Sequence, residues 1–192
     1  RPPRSTQSRS SAASDVYKET DAESFENHGL DYFVNDLMKY AGKKVAIAGG
    51  GDSAIDWALM LEPIASEVYL IHRRQEFRAH EHSVSRLKSS SVNLLTPYLI
   101  DGLSGNNGEL TDIRLKKVKS DETIDLMIDS LIVNYGFSSN LEHLSSWGLD
   151  STRNAITVKS DMSTSIPGVY AAGDICTYEG KVKLIATGLG EA

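Results

Sequence analysis

Lys44-Val45-Ala46-Ile47-Ala48-Gly49-Gly50-Gly51-Asp52-Ser53-Ala54 joins an apolar run, three glycines and a helical pattern with no spacer. Apolar residues from Val45 to Ala48 suit a strand buried on both faces of a parallel sheet. Gly49-x-Gly51-x-x-Ala54 matches the G-x-G-x-x-G/A dinucleotide fingerprint. Gly49 permits the tight turn, Gly51 lets the backbone approach a pyrophosphate, and the small Ala54 lets the helix lie close to the strand. Backbone N–H groups at the new helix N-terminus then face the phosphates, with the helix dipole behind them. The strand before the glycines and the helix after them give so short a pattern its weight. On these residues alone, an ordinary tight strand-to-helix turn stays open.

About 20 residues past the glycines, a dinucleotide fold brings the end of its second strand to the adenine ribose. Val68-Tyr69-Leu70-Ile71 reads as that strand, and it ends in His72-Arg73-Arg74, with Arg78 close behind. An acid at this place would accept from the 2′-hydroxyl and select NAD. Glu67 sits at the wrong end of the strand, and Glu76 lies beyond the basic group. Potential cations at His72, Arg73 and Arg74, with Arg78 within one helical turn, suit a 2′-phosphate through charge-assisted hydrogen bonds. NADPH is therefore expected over NADH. The plainer alternative is a solvated basic patch at a strand end.

Outward from this βα unit, residues 1–24 are rich in Ser, Arg and Pro and nearly free of large apolar residues, so a linker or tail is expected, taken to residue 29. Leu30 to Tyr40 carries apolar residues at near-helical spacing, and a short helix up to Tyr40 is expected, with Gly42 as its stop. The helix after the glycines carries two apolar stripes, Ile55-Ala58-Leu59 and Trp57-Met60-Leu61-Ile64, and Pro63 should end it near Glu62. A polar helix is expected from Arg78 to Leu87. From Val92 to Asp129 the pattern changes to an antiparallel meander. Its first strand is expected to run from Val92 through Ile100 past Pro97, and Asn107-Gly108 is a strong hairpin signal. Leu131-Ile132-Val133 returns to the unbroken apolar style of a central strand. Leu141 to Trp147 suits one short helix, Ile156-Thr157-Val158 a short strand, and Pro167 to Asp174 a turn and strand with an acid at its end.

Composition is that of an ordinary globular protein of 192 residues, 40% apolar and 24% charged. A net charge of −6 argues against nucleic acid or a membrane surface as partner. No apolar run is long enough to cross a bilayer. Cys176 is the one cysteine, which excludes an intrachain disulfide, a Cys-x-x-Cys redox centre and a cysteine-based zinc site. His80 and His82 lie two apart, whereas helical metal ligands favour i, i+4 spacing, so no metal site is expected. Asp174, at the end of Tyr170-Ala171-Ala172-Gly173, can accept from a ribose or ribityl hydroxyl, although a plain strand-end turn accounts for it equally.

Gly49 to Ala54, His72-Arg73-Arg74 with Phe77-Arg78-Ala79, and Ala171-Ala172-Gly173-Asp174-Ile175 occur in this order in thioredoxin-reductase-like flavoproteins. Asp56 to Pro63, Arg78 to Ser83 and Lys181 to Gly188 resemble in particular the ferredoxin/flavodoxin–NADP⁺ reductases of thioredoxin reductase type. The resemblance covers about residues 30–192. It implies an α/β fold: a Rossmann-like FAD/NAD(P)-binding three-layer β/β/α domain with a parallel sheet and an inserted antiparallel meander. It implies that Gly49, Gly51, Asp52, Ser53 and Ala54 hold the NADPH pyrophosphate side, and that His72, Arg73, Arg74 and Arg78 hold the 2′-phosphate. Tyr135 and Gly136 would lie near the nicotinamide half, and Asp174 would touch the FAD ribityl chain. The implied reaction is hydride transfer between NADPH and FAD, followed by electron exchange with ferredoxin or flavodoxin, in a cytoplasmic homodimer. Flavin and nicotinamide carry that chemistry, so no general acid or base is expected.

Two departures qualify the resemblance. Thioredoxin reductases carry Cys-x-x-Cys-Asp before the NADPH-binding strand; here Tyr32-Phe33-Val34-Asn35-Asp36 fills that place, so thioredoxin reduction is not expected. Family members also begin with an FAD-binding half bearing its own glycine fingerprint, which this sequence lacks. The expected organisation is a linker at 1–29, an NADPH-binding domain at 30–165 and a return segment of the FAD-binding domain at 166–192. Two rivals remain open: a flavoprotein with another electron acceptor, and an NADPH-binding sensor without redox work.

Overall fold

The computed structural model describes residues 22–136, 141–152 and 154–192. The chain divides into two compact units, one ending at Gly136 and the other running on from 137.

In the first unit, β1 (Leu30–Asp31), β2 (Lys44–Ala48), α1 (Asp52–Leu61), β3 (Glu67–Ile71), α2 (Glu81–Lys88) and β4 (Asn93–Leu95) follow one another. A meander of β5 (Tyr98–Asn106), β6 (Glu109–Lys117) and β7 (Thr123–Met127) comes next, then β8 (Ser130–Val133). The main sheet has the order β1-β8-β2-β3-β4. All of its pairings are parallel, with Ile47 of β2 opposite both Leu70 and Ile132. The meander forms its own three-stranded antiparallel sheet.

The unbroken apolar run of β2 follows from this layering. Val45 and Ile47 pack with Ile55, Ala58 and Leu61 of α1 and Leu87 of α2. Ala46 and Ala48, pointing the other way, pack with Ile100, Ile113 and Leu115 of the meander. Successive strand residues face opposite sides, so a strand covered on both sides has no position left for a polar residue. Each large aliphatic side chain buried this way stabilises the fold by about 1.5–3 kcal/mol. The result is the three-layer β/β/α arrangement expected from the resemblance.

Helix α1 ends at Leu61 with Glu62 as its cap, just before Pro63. Of its first stripe, Ile55 and Ala58 are buried and Leu59 is half-buried. Of the second stripe, Leu61 is buried, Trp57 and Ile64 are half-buried and Met60 is exposed. The Asn107-Gly108 hairpin forms as expected, with both residues at positive φ (53° and 84°), the requirement of a type I′ turn.

Three expected elements differ. No helix runs from Leu30 to Tyr40: Leu30–Asp31 is an edge strand beside β8, and Leu37–Tyr40 alone forms a 3-10 turn. The buried Asp31 carboxylate is the reason, since it accepts from Lys39 Nζ at 2.7 Å and Tyr40 Oη at 2.9 Å and ties the turn to the strand. Val92 to Ile100 is not one strand of the meander. Asn93–Leu95 joins the parallel sheet beside β3, and the meander begins at Tyr98. Pro97 breaks the run because it brings no ladder donor. The polar helix starts at Glu81 rather than Arg78, because Arg78 is drawn into an extended bridge with Gly51.

Residues 22–29, which the sequence reading assigned to the linker, pack on the first unit: Ala22 is buried, and Leu110 N donates to His28 O at 2.9 Å. The rest of the expected linker, 1–21, lies outside the described residues.

The second unit holds a 3-10 helix (Glu142–Trp147), β9 (Ser151–Thr152), β10 (Ala155–Thr157), a 3-10 turn (Gly173–Ile175), β11 (Cys176–Thr177) and α3 (Ile185–Glu191). Strand β10 pairs with β11 in parallel and with β9 antiparallel. Ile156, Val158, Ala171 and Cys176 share one core. The division between units falls at Gly136, and β9, β10 and β11 form a single sheet within the second unit. Glu191 closes this unit. It pairs with the equally buried Lys181 and accepts from Tyr178 Oη at 2.7 Å and Gly173 N at 2.8 Å. Those donors hold its carboxyl down to about 2.

Candidate functional site

A parallel sheet places the carboxyl ends of all its strands on one edge, and ligands of such sheets bind outside that edge where the strand order reverses. Here the reversal lies at β2, between β8 on one side and β3 on the other. The three glycines follow β2, His72 follows β3, and Asn134 follows β8.

Each glycine of the loop lacks a side chain for a different reason. A Cβ on Gly49 would lie 2.5 Å from Asn134 O and 2.8 Å from Ala54 Cβ, so Gly49 serves the packing of β2, β8 and α1. Its φ is not positive, so close approach rather than a special turn conformation requires glycine there. A Cβ on Gly50 would meet the His72 ring at 2.2–2.5 Å. A Cβ on Gly51 would meet nothing within 4 Å, and its φ of −98° is open to any residue. Gly51 thus has no reason within the protein to be glycine. The space beside it is free for an incoming group, at the N-cap of α1, where unpaired N–H groups favour an anion.

Segment 72–80 is folded onto this loop. Arg78 N donates to Gly50 O at 2.7 Å, and Arg78 bridges Gly51. Asp52 Oδ1 accepts from His80 N at 2.9 Å. Ser53 is exposed beside Asp52, and Ala54 is buried. The side chains of Arg73, Arg74 and Arg78 are exposed, and all three are near enough to the His72 ring for their charges to act on it. His72 is placed differently from the outward cation expected. Its ring stacks on Phe77, with centroids 5.4 Å apart, and its Nε2 is buried without a hydrogen-bond partner. Burial first, and then the three arginines, push its pKa below the ordinary 6.5.

The depressed His72 pKa has a consequence for stability. The unfolded chain takes up this proton near pH 6.5, and the folded one does so only at lower pH. Between those values the unfolded state binds more protons, so stability rises with pH. Urea midpoints of the chain are expected to fall as pH drops through about 6.5, and His72→Phe is expected to remove that part of the decline. A pH profile identical in the two proteins would contradict a neutral, inward His72.

The sequence reading gave no site role to Asn134 or to Phe77. Asn134 N donates to Ala48 O at 2.7 Å, its carbonyl abuts Gly49, and its Nδ2 is buried without a partner. A buried amide donor without a partner is uncommon, because native structures satisfy most such groups. The signal was present as an amide ending an apolar strand, but hydrophobic periodicity gives no weight to a strand's last residue. Gly136 is exposed with φ +89°, and Tyr135 is half-buried. Asp174 lies in the second unit, exposed within the Gly173–Ile175 turn rather than at a strand end.

The family described as pyridine nucleotide-disulphide oxidoreductase matches residues 10–192. The chain is 64% identical over 170 residues to a ferredoxin–NADP reductase of Enterococcus faecalis, covering 88% of this chain and 51% of that protein. It is 60% identical over 171 residues to ferredoxin–NADP reductase 2 of Bacillus subtilis, covering 89% and 51%. It thus spans about half the length of the curated relatives it matches. Among solved structures, thioredoxin reductase of Lactococcus lactis superposes with a TM-score of 0.80 at 26% identity, over 88% of this chain and 56% of that one. Thioredoxin reductase of T. acidophilum, at 24% identity and a TM-score of 0.82, shares the fold over 90% of this chain and 57% of that one.

Proposed function

This chain belongs to the pyridine nucleotide-disulphide oxidoreductase family, and from that premise we propose that it is the NADP(H)-binding part of an FAD-dependent ferredoxin/flavodoxin–NADP reductase. The observation that carries the reading is the pairing of an open Gly51 cradle with an arginine-bearing segment whose backbone is folded against the same loop. The first offers backbone N–H groups to a pyrophosphate. The second offers bidentate donors to a 2′-phosphate, the group that separates NADP(H) from NAD(H).

In this reading Gly49, Gly51, Ser53 and Ala54 form the pyrophosphate side, and Arg73, Arg74 and Arg78 take the 2′-phosphate. Asp52 braces the loop through His80 N rather than facing the phosphates, where its charge would repel them. Asn134 Nδ2, Tyr135 and Gly136 line the way toward the nicotinamide half. Asp174 is the FAD contact on this chain, accepting from a ribityl hydroxyl. When bound, nicotinamide and flavin supply the hydride and electron chemistry; the residues here bind and orient. No proton transfer is assigned to any side chain. Names of the relatives support ferredoxin as the partner of the whole protein, and its homodimeric, cytoplasmic state is proposed on the resemblance alone. Among the described residues, no helix is long and apolar enough to cross a membrane.

The test uses the full-length parent protein. Anaerobic mixing with NADPH is expected to bleach a bound flavin at least about tenfold more efficiently than NADH does, and ferredoxin or flavodoxin is expected to reoxidise it faster than a quinone. Faster reoxidation by the quinone would move the reading to another acceptor. Nucleotide binding without any flavin reduction would make the chain part of a sensor.

A further inference from the structure

His72 is held at three points. Its backbone N donates to Leu95 O at 3.1 Å, its carbonyl accepts from Tyr98 N at 3.0 Å, and its ring stacks on Phe77. So anchored, the ring fills the space that any side chain on Gly50 would need. The chain then passes through Arg73 and Arg74 and returns to the same loop, where Arg78 N meets Gly50 O and His80 N meets Asp52. The arc that carries the arginines therefore touches the glycine loop at both of its ends, first by an imidazole and then by backbone. Around the ring, Arg73, Arg74 and Arg78 are the charged groups, and Glu76 meets it through its backbone carbonyl. A cation in this place would face like charges with one nitrogen buried and unpartnered, so the imidazole is neutral.

We propose that His72 is a positioning residue rather than a phosphate ligand: wedged between Gly50 and Phe77, it sets the spacing between the glycine loop and the arginine arc. This rests on the NADP(H) reading above and adds to it. The two phosphate sites are then mechanically joined, and the residue that joins them touches neither phosphate.

The test is calorimetric titration of the chain with NADP⁺ and with NAD⁺, for wild type, His72→Phe, Gly50→Ala and the double variant His72→Ala/Gly50→Ala, with His72→Ala as its reference. His72→Phe is expected to weaken both nucleotides by the same factor, keeping the preference for NADP⁺ within about twofold of wild type. Gly50→Ala is expected to weaken both by about tenfold or more, and the same substitution made on His72→Ala to cost less than about threefold, because the space is then free. The ratio of wild-type to His72→Phe affinity for NADP⁺ is expected to stay flat between about pH 8 and pH 6.5, where a neutral ring gains no charge. Loss of the NADP⁺ preference in His72→Phe, a ratio that grows on acidification, or an undiminished Gly50→Ala cost without the ring would each overturn the proposal while leaving the NADP(H) reading in place. Failure of wild type to bind either nucleotide would remove both. His72→Ala removes the wedge and His72→Phe keeps a stacked ring, so the pair separates loss of the wedge from loss of the fold.

Discussion

Replacing Arg73 and Arg74 together by alanine is expected to lower the affinity for NADP⁺ by about tenfold to hundredfold and to leave NAD⁺ nearly unchanged. A hydrogen bond to a charged group contributes about 1.5–3 kcal/mol when its geometry is good, and a factor of ten in affinity is about 1.4 kcal/mol. Both side chains are exposed, which weakens any ion pair they make with the protein. A bidentate guanidinium–phosphate contact escapes part of that loss, since two parallel N–H donors meet two oxygens at once. NAD⁺ has no 2′-phosphate and so loses little. Isothermal titration of both nucleotides into the double variant measures the effect. Parallel weakening of NADP⁺ and NAD⁺ would place the arginines near the shared pyrophosphate instead.

Gly49→Ala and Gly51→Ala are expected to separate stability from binding. At Gly49 the new methyl would lie 2.5 Å from the Asn134 carbonyl oxygen and 2.8 Å from Ala54 Cβ. Neither neighbour can swing away, because one is backbone in the sheet and the other a methyl on α1. Overpacking of this kind costs about 1–3 kcal/mol, so the urea midpoint should fall. At Gly51 nothing lies within 4 Å, so Gly51→Ala should leave stability unchanged or raise it by up to about 1 kcal/mol. Its methyl would nevertheless stand where a pyrophosphate approaches, and both nucleotides should bind about tenfold or more weakly. Unimpaired binding by a stable Gly51→Ala protein would show that the open space beside Gly51 is not the phosphate cradle.

Much of the fold was legible because buried parallel strands leave an unmistakable pattern. Val45 to Ala48 and Leu131 to Val133 have no polar position, and the structure covers both faces of each. The hairpin at Asn107-Gly108 was legible because few residue pairs accept two positive φ angles. Leu30 to Tyr40 misled because its spacing is helical, while the decisive contact is tertiary: Asp31 buried against Lys39 and Tyr40. Local pattern carries no information about which carboxylate will be buried. The strand Asn93–Leu95 was assigned to the wrong sheet for a similar reason, since three residues have too little periodicity to distinguish a parallel edge from a meander.

At the site, the residue types were legible and their orientations were not. Gly49, Gly50 and Gly51 look alike in sequence, yet they meet Asn134, His72 and open space respectively. His72, Arg73 and Arg74 read as one basic group. The structure separates them, because His72 is the last residue tied into the sheet and its ring turns inward, while the arginines beyond it are exposed. Asn134 offered only an amide at the end of an apolar strand, and its buried Nδ2 becomes visible only when β8 is placed beside β2.

The central claim is that the glycine loop and the arginine arc together form a site for NADP(H). Titration of the wild-type chain with NADP⁺ and with NAD⁺, in the same buffer at low salt, tests it most directly. The account predicts that NADP⁺ binds at least about tenfold more tightly, a gap of about 1.4 kcal/mol or more. Equal affinities, or no binding of either nucleotide, would contradict it.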